Sequence, residues 1–260
     1  MSETLQLPQE QEDKNSESSV YDELSVMQRG QQQTDKPEKH VGQETVKANI
    51  EALMATELGP SIVDAYKALV AERPDLADIP ITVIPESEKS GNAHRVDKET
   101  GQSTVRLHMD RQLFESHLKQ DGFDIRYKRF IDFLSGMGKT LDVETLVKIV
   151  MWHEFGHAAD FRQLRAEHPD LSIQDLTALK IANRQKEIDS LPLKGPTLGF
   201  LEWYTARTER EKAQIRREEG TPTQAEFDAL LRKNTAAYVD LPSETVADDF
   251  ALEQLRKQLG

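Results

Sequence analysis

Residues 142–165, DVETLVKIVMWHEFGHAADFRQLR, decide the fold of this chain. Apolar side chains occur on most sides of a helix drawn through this stretch, which predicts a helix buried at the centre of the protein. Gly156 lies inside it, where glycine costs about 1 kcal/mol relative to alanine. We therefore expect either a close-packing reason for Gly156 or a tolerated defect. The apolar residues are Leu141, Val143, Leu146, Val147, Ile149, Val150, Met151, Trp152 and Phe155.

The same helix carries an H-E-x-x-H motif at residues 153–157. His153 and His157 are four residues apart and share one helical face, so both imidazoles can reach a single tetrahedral Zn²⁺ ion. Glu154 lies about 100° round the helix, beside the metal and off the ligand line. That position suits a general base acting on a zinc-bound water. The motif predicts a zinc-dependent hydrolase.

A metal-free interpretation competes with this one. The motif constrains only three positions and also occurs by accident. His153 and His157 continue the apolar face formed by Leu146, Ile149 and Val150, which is typical of residues that point into a core. Both histidines can therefore be hydrogen-bonded core residues instead of ligands.

A second informative segment, LPSETVADDFA, occupies residues 241–251. Pro242 breaks the preceding chain, and Ser243 is the expected N-cap of a helix over 243–258. Glu244 and Asp248 share a face of that helix. A catalytic zinc needs three protein ligands, and a ligating histidine usually donates its other N–H to a carboxylate. Glu244 and Asp248 would meet these two needs, although acidic residues are also common at helix N-termini without any metal.

Residues 153–160, HEFGHAAD, and 244–251, ETVADDFA, resemble the gluzincin-type zinc metallopeptidases. The resemblance covers these two short stretches and indicates no subfamily. It implies a zincin-like core in which a small antiparallel sheet precedes a buried active-site helix. It further implies His153, His157 and Glu244 as Zn²⁺ ligands, Glu154 as the catalytic base and Asp248 as the partner of a ligating histidine. The G-x-x-H continuation of metzincins is absent, and Asp160 ranks below Glu244 as third ligand because it competes for space with His157.

Composition limits the cofactors and partners of the chain. It has 260 residues, no cysteine and a formal net charge of −13, so any zinc must be bound by histidine and carboxylate. The negative charge argues against nucleic-acid binding, which needs clustered basic residues. The first fifteen residues have no secretory pattern, and no apolar run is long enough to span a bilayer. We expect a cytoplasmic protein with no membrane partner.

The chain divides into a disordered polar and acidic tail, residues 1–44, and a zincin-like domain, residues 45–260. The tail contains too few apolar residues to offset the entropy of ordering; its one apolar patch, residues 20–27, is a candidate for binding a protein partner. In the domain, strands at 93–96 and 104–108 flank a hairpin turn. The class is α+β and mostly helical. Helices are predicted over 110–119, 123–135, 142–165, 173–187, 199–218, 223–233 and 243–258.

The favoured function is zinc-dependent hydrolysis of a peptide or protein substrate. One alternative is a catalytically silent scaffold or regulator that keeps the zincin fold and acts by binding through its tail. The other is a helical interaction domain without metal. Tyr204 and Tyr238 are candidates for stabilising an oxyanion, although packed aromatics are expected more often. His94 and His108, on the hairpin, are expected at the surface.

Overall fold

The computed structural model describes residues 38–85, 88, 91–120, 122–191 and 224–260. Helices and strands are numbered here in chain order within these ranges. They are α1 (Glu38–Met54), α2 (Gly59–Glu72), β1 (Ile81–Ile84), β2 (Ala93–Val96), β3 (Ser103–His108), α3 (Arg111–His117), α4 (Phe123–Arg126), α5 (Lys128–Gly136), α6 (Val143–Glu167), α7 (Ile173–Asp189), α8 (Gln224–Val239) and α9 (Pro242–Leu259).

Helix α6 is the central element, as its sequence predicts. It begins after Asp142, whose side chain accepts a hydrogen bond from the Thr145 backbone N–H at 2.8 Å. That cap satisfies one of the backbone donors that a helix start leaves without a partner. Trp152 and Phe155 are almost completely buried, and burial of such a side chain stabilises a fold by about 1.5–3 kcal/mol. Helices α2, α3 and α9 and strands β2 and β3 pack around α6.

The sheet has three strands in the order β1-β3-β2. Strands β2 and β3 form the predicted antiparallel hairpin, with Ala93 opposite Arg106 and Val96 opposite Ser103. Strand β1 is parallel to β3, so the prediction of an antiparallel sheet is wrong for this pair and the sheet is mixed. A tight turn fixes how neighbouring strands pair, whereas the position of β1 depends on tertiary packing. Strand β3 is central and has the more buried side chains.

Buried Asn49 of α1 holds the entry to β1. Its side-chain Nδ2 donates to the Ile79 carbonyl at 2.9 Å, and its Oδ1 accepts from the Ile81 N–H at 2.7 Å. Both backbone groups precede or begin the strand, where a buried polar group without a partner would be costly. Asn49 therefore fixes where β1 meets the helical layer.

Several predicted boundaries differ from the structure. The helix predicted over 123–135 is two helices, α4 and α5, and the one predicted over 223–233 continues to Val239. Helix α9 begins at Pro242, with Leu241 as its N-cap. The prediction of Ser243 as N-cap is wrong because proline is itself well suited to the first helical position.

Other predictions fall wholly or partly outside the described residues. The helix predicted over 199–218, together with Tyr204, lies in the gap between 191 and 224. Helix α1 begins at Glu38, inside the segment predicted as a tail, and the division at residue 45 stays a prediction. Among the described residues, no helix combines the length and apolar character needed to cross a membrane.

Gly156 marks the closest approach of α6 to α9. A Cβ atom at this position would lie 2.8 Å from the Ala247 Cα and 3.1 Å from the Phe250 Cβ. The 2.8 Å contact is with backbone, which cannot move aside as the end of a flexible side chain can. The glycine is therefore explained by close packing.

Gly156→Ala should destabilise the protein because the added methyl pushes α6 and α9 apart, and overpacking of this kind costs about 1–3 kcal/mol. Alanine also gains up to about 1 kcal/mol in helix propensity. Gly136→Ala is the matched control, since a Cβ there has nothing within 4 Å. Urea denaturation should show the Gly156 variant to be less stable than the Gly136 variant. Equal stabilities would contradict the packing explanation.

Candidate metal centre

Helices α6 and α9 bring three potential metal ligands together. One ligand atom from each of His153, His157 and Glu244 lies within 4.8 Å of the others. His153 Nε2 is 3.5 Å from Glu244 Oε2, and His157 Nε2 is 3.7 Å from Glu244 Oε1. His153 and Glu244 are buried and His157 is half-buried.

The spacing of these atoms suits a metal ion. Ligand atoms bound tetrahedrally at about 2.0–2.1 Å are separated from one another by about 3.4 Å. The observed 3.5 and 3.7 Å differ from that value by only a few tenths of an ångström. Neutral imidazole and carboxylate are accepted ligands for divalent metals. The three residues can therefore hold a metal ion.

Asp248 contacts His153 on the side away from Glu244. Its Oδ1 lies 2.7 Å from His153 Nδ1, and both side chains are buried. A neutral His153 therefore carries its proton on Nδ1 and keeps the Nε2 lone pair directed towards the ligand group. This is the contact that the sequence predicts for Asp248, and it is how carboxylates commonly orient ligating histidines.

Two arginines and a tyrosine surround the Glu244 carboxylate, and the sequence did not predict either arginine. Oε1 accepts from Arg184 Nη2 at 2.7 Å and from the Tyr238 hydroxyl at 3.0 Å. Oε2 accepts a longer bond from Arg126 Nη2 at 3.3 Å. Arg126 also donates to Asp248 Oδ2 at 3.2 Å. Tyr238, which the sequence offered as an oxyanion donor, is thus hydrogen-bonded to Glu244.

These contacts shift the pKa values of the protein side chains. Burial alone would lower the pKa of His153, but its hydrogen bonds to Asp248 and Glu244 raise it to about 9. Burial would raise the pKa of Glu244, but His153 and Arg126 hold that pKa well below its usual range. Burial, together with the neighbouring His153, lowers the pKa of His157 well below its ordinary value. Glu244 is therefore an anion and His157 is neutral. His153 is protonated in the metal-free protein and would have to release a proton when a metal ion binds, because a ligating histidine is neutral.

Glu154 lies beside the ligand group in a cavity of about 840 Å³, a size typical of ligand sites. Its carboxylate is buried and receives a backbone hydrogen bond from His94 of β2. Burial raises the pKa of Glu154 above its ordinary value. A carboxylate with a raised pKa is a better proton acceptor than an exposed one at neutral pH.

The two hairpin histidines line the same cavity, so the expectation that they lie at the surface is wrong. His108 is buried, and His94 is half-buried. His94 Nδ1 lies 3.3 Å from Lys180 Nζ, and its Nε2 lies 3.0 Å from Ser103 Oγ. Because an ammonium only donates, Nδ1 is the acceptor and the proton is on Nε2. Asp160, the lesser candidate for third ligand, lies outside the ligand group.

Comparisons of the chain with protein-family models, with curated proteins and with solved structures found no match. The resemblance to gluzincins therefore rests on the two short sequence motifs, to which the structure adds a His153, His157 and Glu244 group that could hold a metal ion.

Metal content should separate a ligand group from a set of core residues. We expect about one metal ion per wild-type chain by mass spectrometry, and much less in Glu244→Ala, because the variant loses one of three ligands. Arg232→Ala, which removes a surface ion pair with Asp124, should retain the ion. Wild-type protein without metal after dialysis against it would show that both histidines are core residues.

Asp248→Ala should weaken metal binding about 10- to 100-fold, because loss of the carboxylate behind a ligating histidine has that effect. The neighbouring Asp249→Ala is the control, since Asp249 is exposed and pairs with Arg129 at the surface. Competition with a fluorescent chelator measures both affinities. Equal affinities in the two variants would exclude a role for Asp248 in orienting His153.

Proposed function

We propose that this protein is a zinc-dependent metallopeptidase. The observation that carries the proposal is the meeting of His153 and His157 with Glu244, a residue far along the chain, next to buried Glu154. Two histidines and a glutamate form a common ligand set of catalytic zinc and leave one position open. Calcium and magnesium prefer oxygen ligands, and a chain without cysteine has no thiolate to offer.

A zinc ion at this site would act as a Lewis acid and would lower the pKa of a bound water to about 7. His153, His157 and Glu244 would hold the ion, and Asp248 would keep the His153 ring in place. Glu154 would accept the proton of the attacking water on its carboxylate. It would then pass that proton to the nitrogen of the leaving amine.

Strand β2 supports a peptide as the substrate. It is an edge of the described sheet, paired with β3 alone. His94 of β2 interacts with Glu154 through its backbone N–H, so β2 runs past the proposed base. An extended peptide can add to such an edge through main-chain hydrogen bonds. Its scissile bond would then lie between Glu154 and the metal.

Glu154→Gln tests the assigned role directly. The variant should bind zinc like the wild type but should cleave an unfolded protein or a peptide library about 10²–10⁴-fold more slowly, the usual contribution of a general base. Glu144→Gln, in the first turn of the same helix, removes a half-exposed ion pair with Arg111 and should keep full activity. Loss of zinc from Glu154→Gln, or undiminished turnover, would contradict the mechanism.

A further inference from the structure

Among the residues that the structure describes, three cationic side chains line the cavity around the proposed metal site: Arg126, Lys180 and Arg184. They come from helices α4 and α7 of a chain that is strongly acidic as a whole. Cations gathered in a cleft attract and orient anionic ligands. The hydrogen bonds of each cation show whether its N–H groups are used within the protein or are available to a ligand.

Arg184 uses most of its N–H groups in hydrogen bonds to other residues of the protein. Its Nη1 donates to Glu187 at 3.1 Å and to Ser243 at 2.5 Å, and its Nη2 donates to Tyr238 at 2.8 Å and to Glu244 at 2.7 Å. Four of the five N–H groups of a guanidinium are thereby used. Arg184 is a positioning residue: it orients the Glu244 carboxylate and connects the first turn of α9 to α7.

Lys180 is held by the wall of the cavity. Its ammonium donates to the His157 carbonyl at 3.2 Å and to His94 Nδ1 at 3.3 Å. It also lies 5.1 Å from the centre of the Phe161 ring, a cation–π contact. These contacts join α7 to α6 and β2, which gives Lys180 a structural role.

Arg126 is held more loosely than Arg184, although it also lies 5.5 Å from the centre of the Tyr127 ring. Its contacts to Asp248, Glu244 and His153 are 3.2, 3.3 and 3.4 Å long. In the described part of the chain these contacts use one N–H of Nη1 and both of Nη2. The Nε N–H and the second N–H of Nη1 have no acceptor there. A guanidinium with an N–H group to spare can donate a charge-assisted hydrogen bond to a carboxylate.

An anionic group of the substrate that bound to Arg126 would lie close to the proposed metal site. Arg126 Nη2 is within 3.4 Å of two proposed ligand atoms, Glu244 Oε2 and His153 Nε2.

We infer that Arg126 recognises a carboxylate of the substrate, so that the peptides cleaved carry a negative charge close to the scissile bond. The inference rests on the proposed function and adds the substrate class to it. The carboxylate has two chemical sources, an aspartate or glutamate side chain and a free C-terminus. The second source would make the enzyme one that removes residues from the end of a chain.

Matched peptides distinguish these sources in the zinc-loaded wild-type protein. In the first pair, one peptide has aspartate next to the scissile bond and the other has asparagine there. In the second pair, one peptide has a free C-terminal carboxylate and the other is amidated at the C-terminus. We expect at least a 10-fold higher kcat/KM for the charged member of one pair, since charge-assisted hydrogen bonds are stronger than neutral ones. The pair that responds identifies the source. Equal cleavage of both members in both pairs would overturn the inference and leave the peptidase function intact.

Binding to catalytically impaired protein gives a second readout that does not depend on turnover. Three proteins are compared: Glu154→Gln alone, and Glu154→Gln combined with Arg126→Gln or with Arg126→Lys. Fluorescence anisotropy measures the Kd of each protein for a charged and a neutral peptide. Arg126→Gln should lose at least 10-fold in affinity for the charged peptide and little for the neutral one. Arg126→Lys should retain part of the preference because it keeps the charge.

Arg129→Gln is the control for this series, because Arg129 lies nearby on α5 and pairs with exposed Asp249. It should bind both peptides like the parent protein. Metal content and circular dichroism of each variant show that site and fold are intact. A preference for the charged peptide that persists in Arg126→Gln would overturn the assignment. Absence of both zinc and hydrolysis in the wild type would instead refute the proposed function.

Discussion

The contact between α6 and α9 is the constraint on which the rest of the site depends. Gly156 allows the two helix backbones to touch at Ala247, and this closeness brings His153 and His157 within reach of Glu244. A residue with no side chain thus allows the close approach at which the three potential metal ligands meet.

Electrostatics accounts for the residues that surround this contact. A buried carboxylate needs partners to remain ionised, and Glu244 obtains them from Arg126, Arg184 and Tyr238. Arg184 also ties the start of α9 to α7 through Ser243 and Glu187. The same arrangement thus keeps Glu244 charged, fixes its orientation and joins helices α4, α7, α8 and α9. Arg126 makes the longer contacts in this network, which is why we assign the proposed ligand-binding role to it.

The sequence predicted the parts of the site that depend on local spacing. Residues four apart on a helix must share a face, so spacing alone pairs His153 with His157 and Glu244 with Asp248. Arg126 and Arg184 could not be found in this way, because they reach the site through tertiary packing and carry no spacing signal. The hairpin was predictable from its turn, whereas the parallel pairing of β1 depends on contacts between distant segments.

The ligand group spans two helices that are distant in sequence, since His153 and His157 lie on α6 and Glu244 lies on α9. A metal ion bound there would connect α6 to α9, in addition to any part it takes in a reaction. The unfolded chain has no such preformed group, so the free energy of metal binding would be added to the free energy of folding. The amount of folded protein would then follow the metal supply. When the metal is scarce, α9 would separate from α6 more often and would expose the core between the two helices.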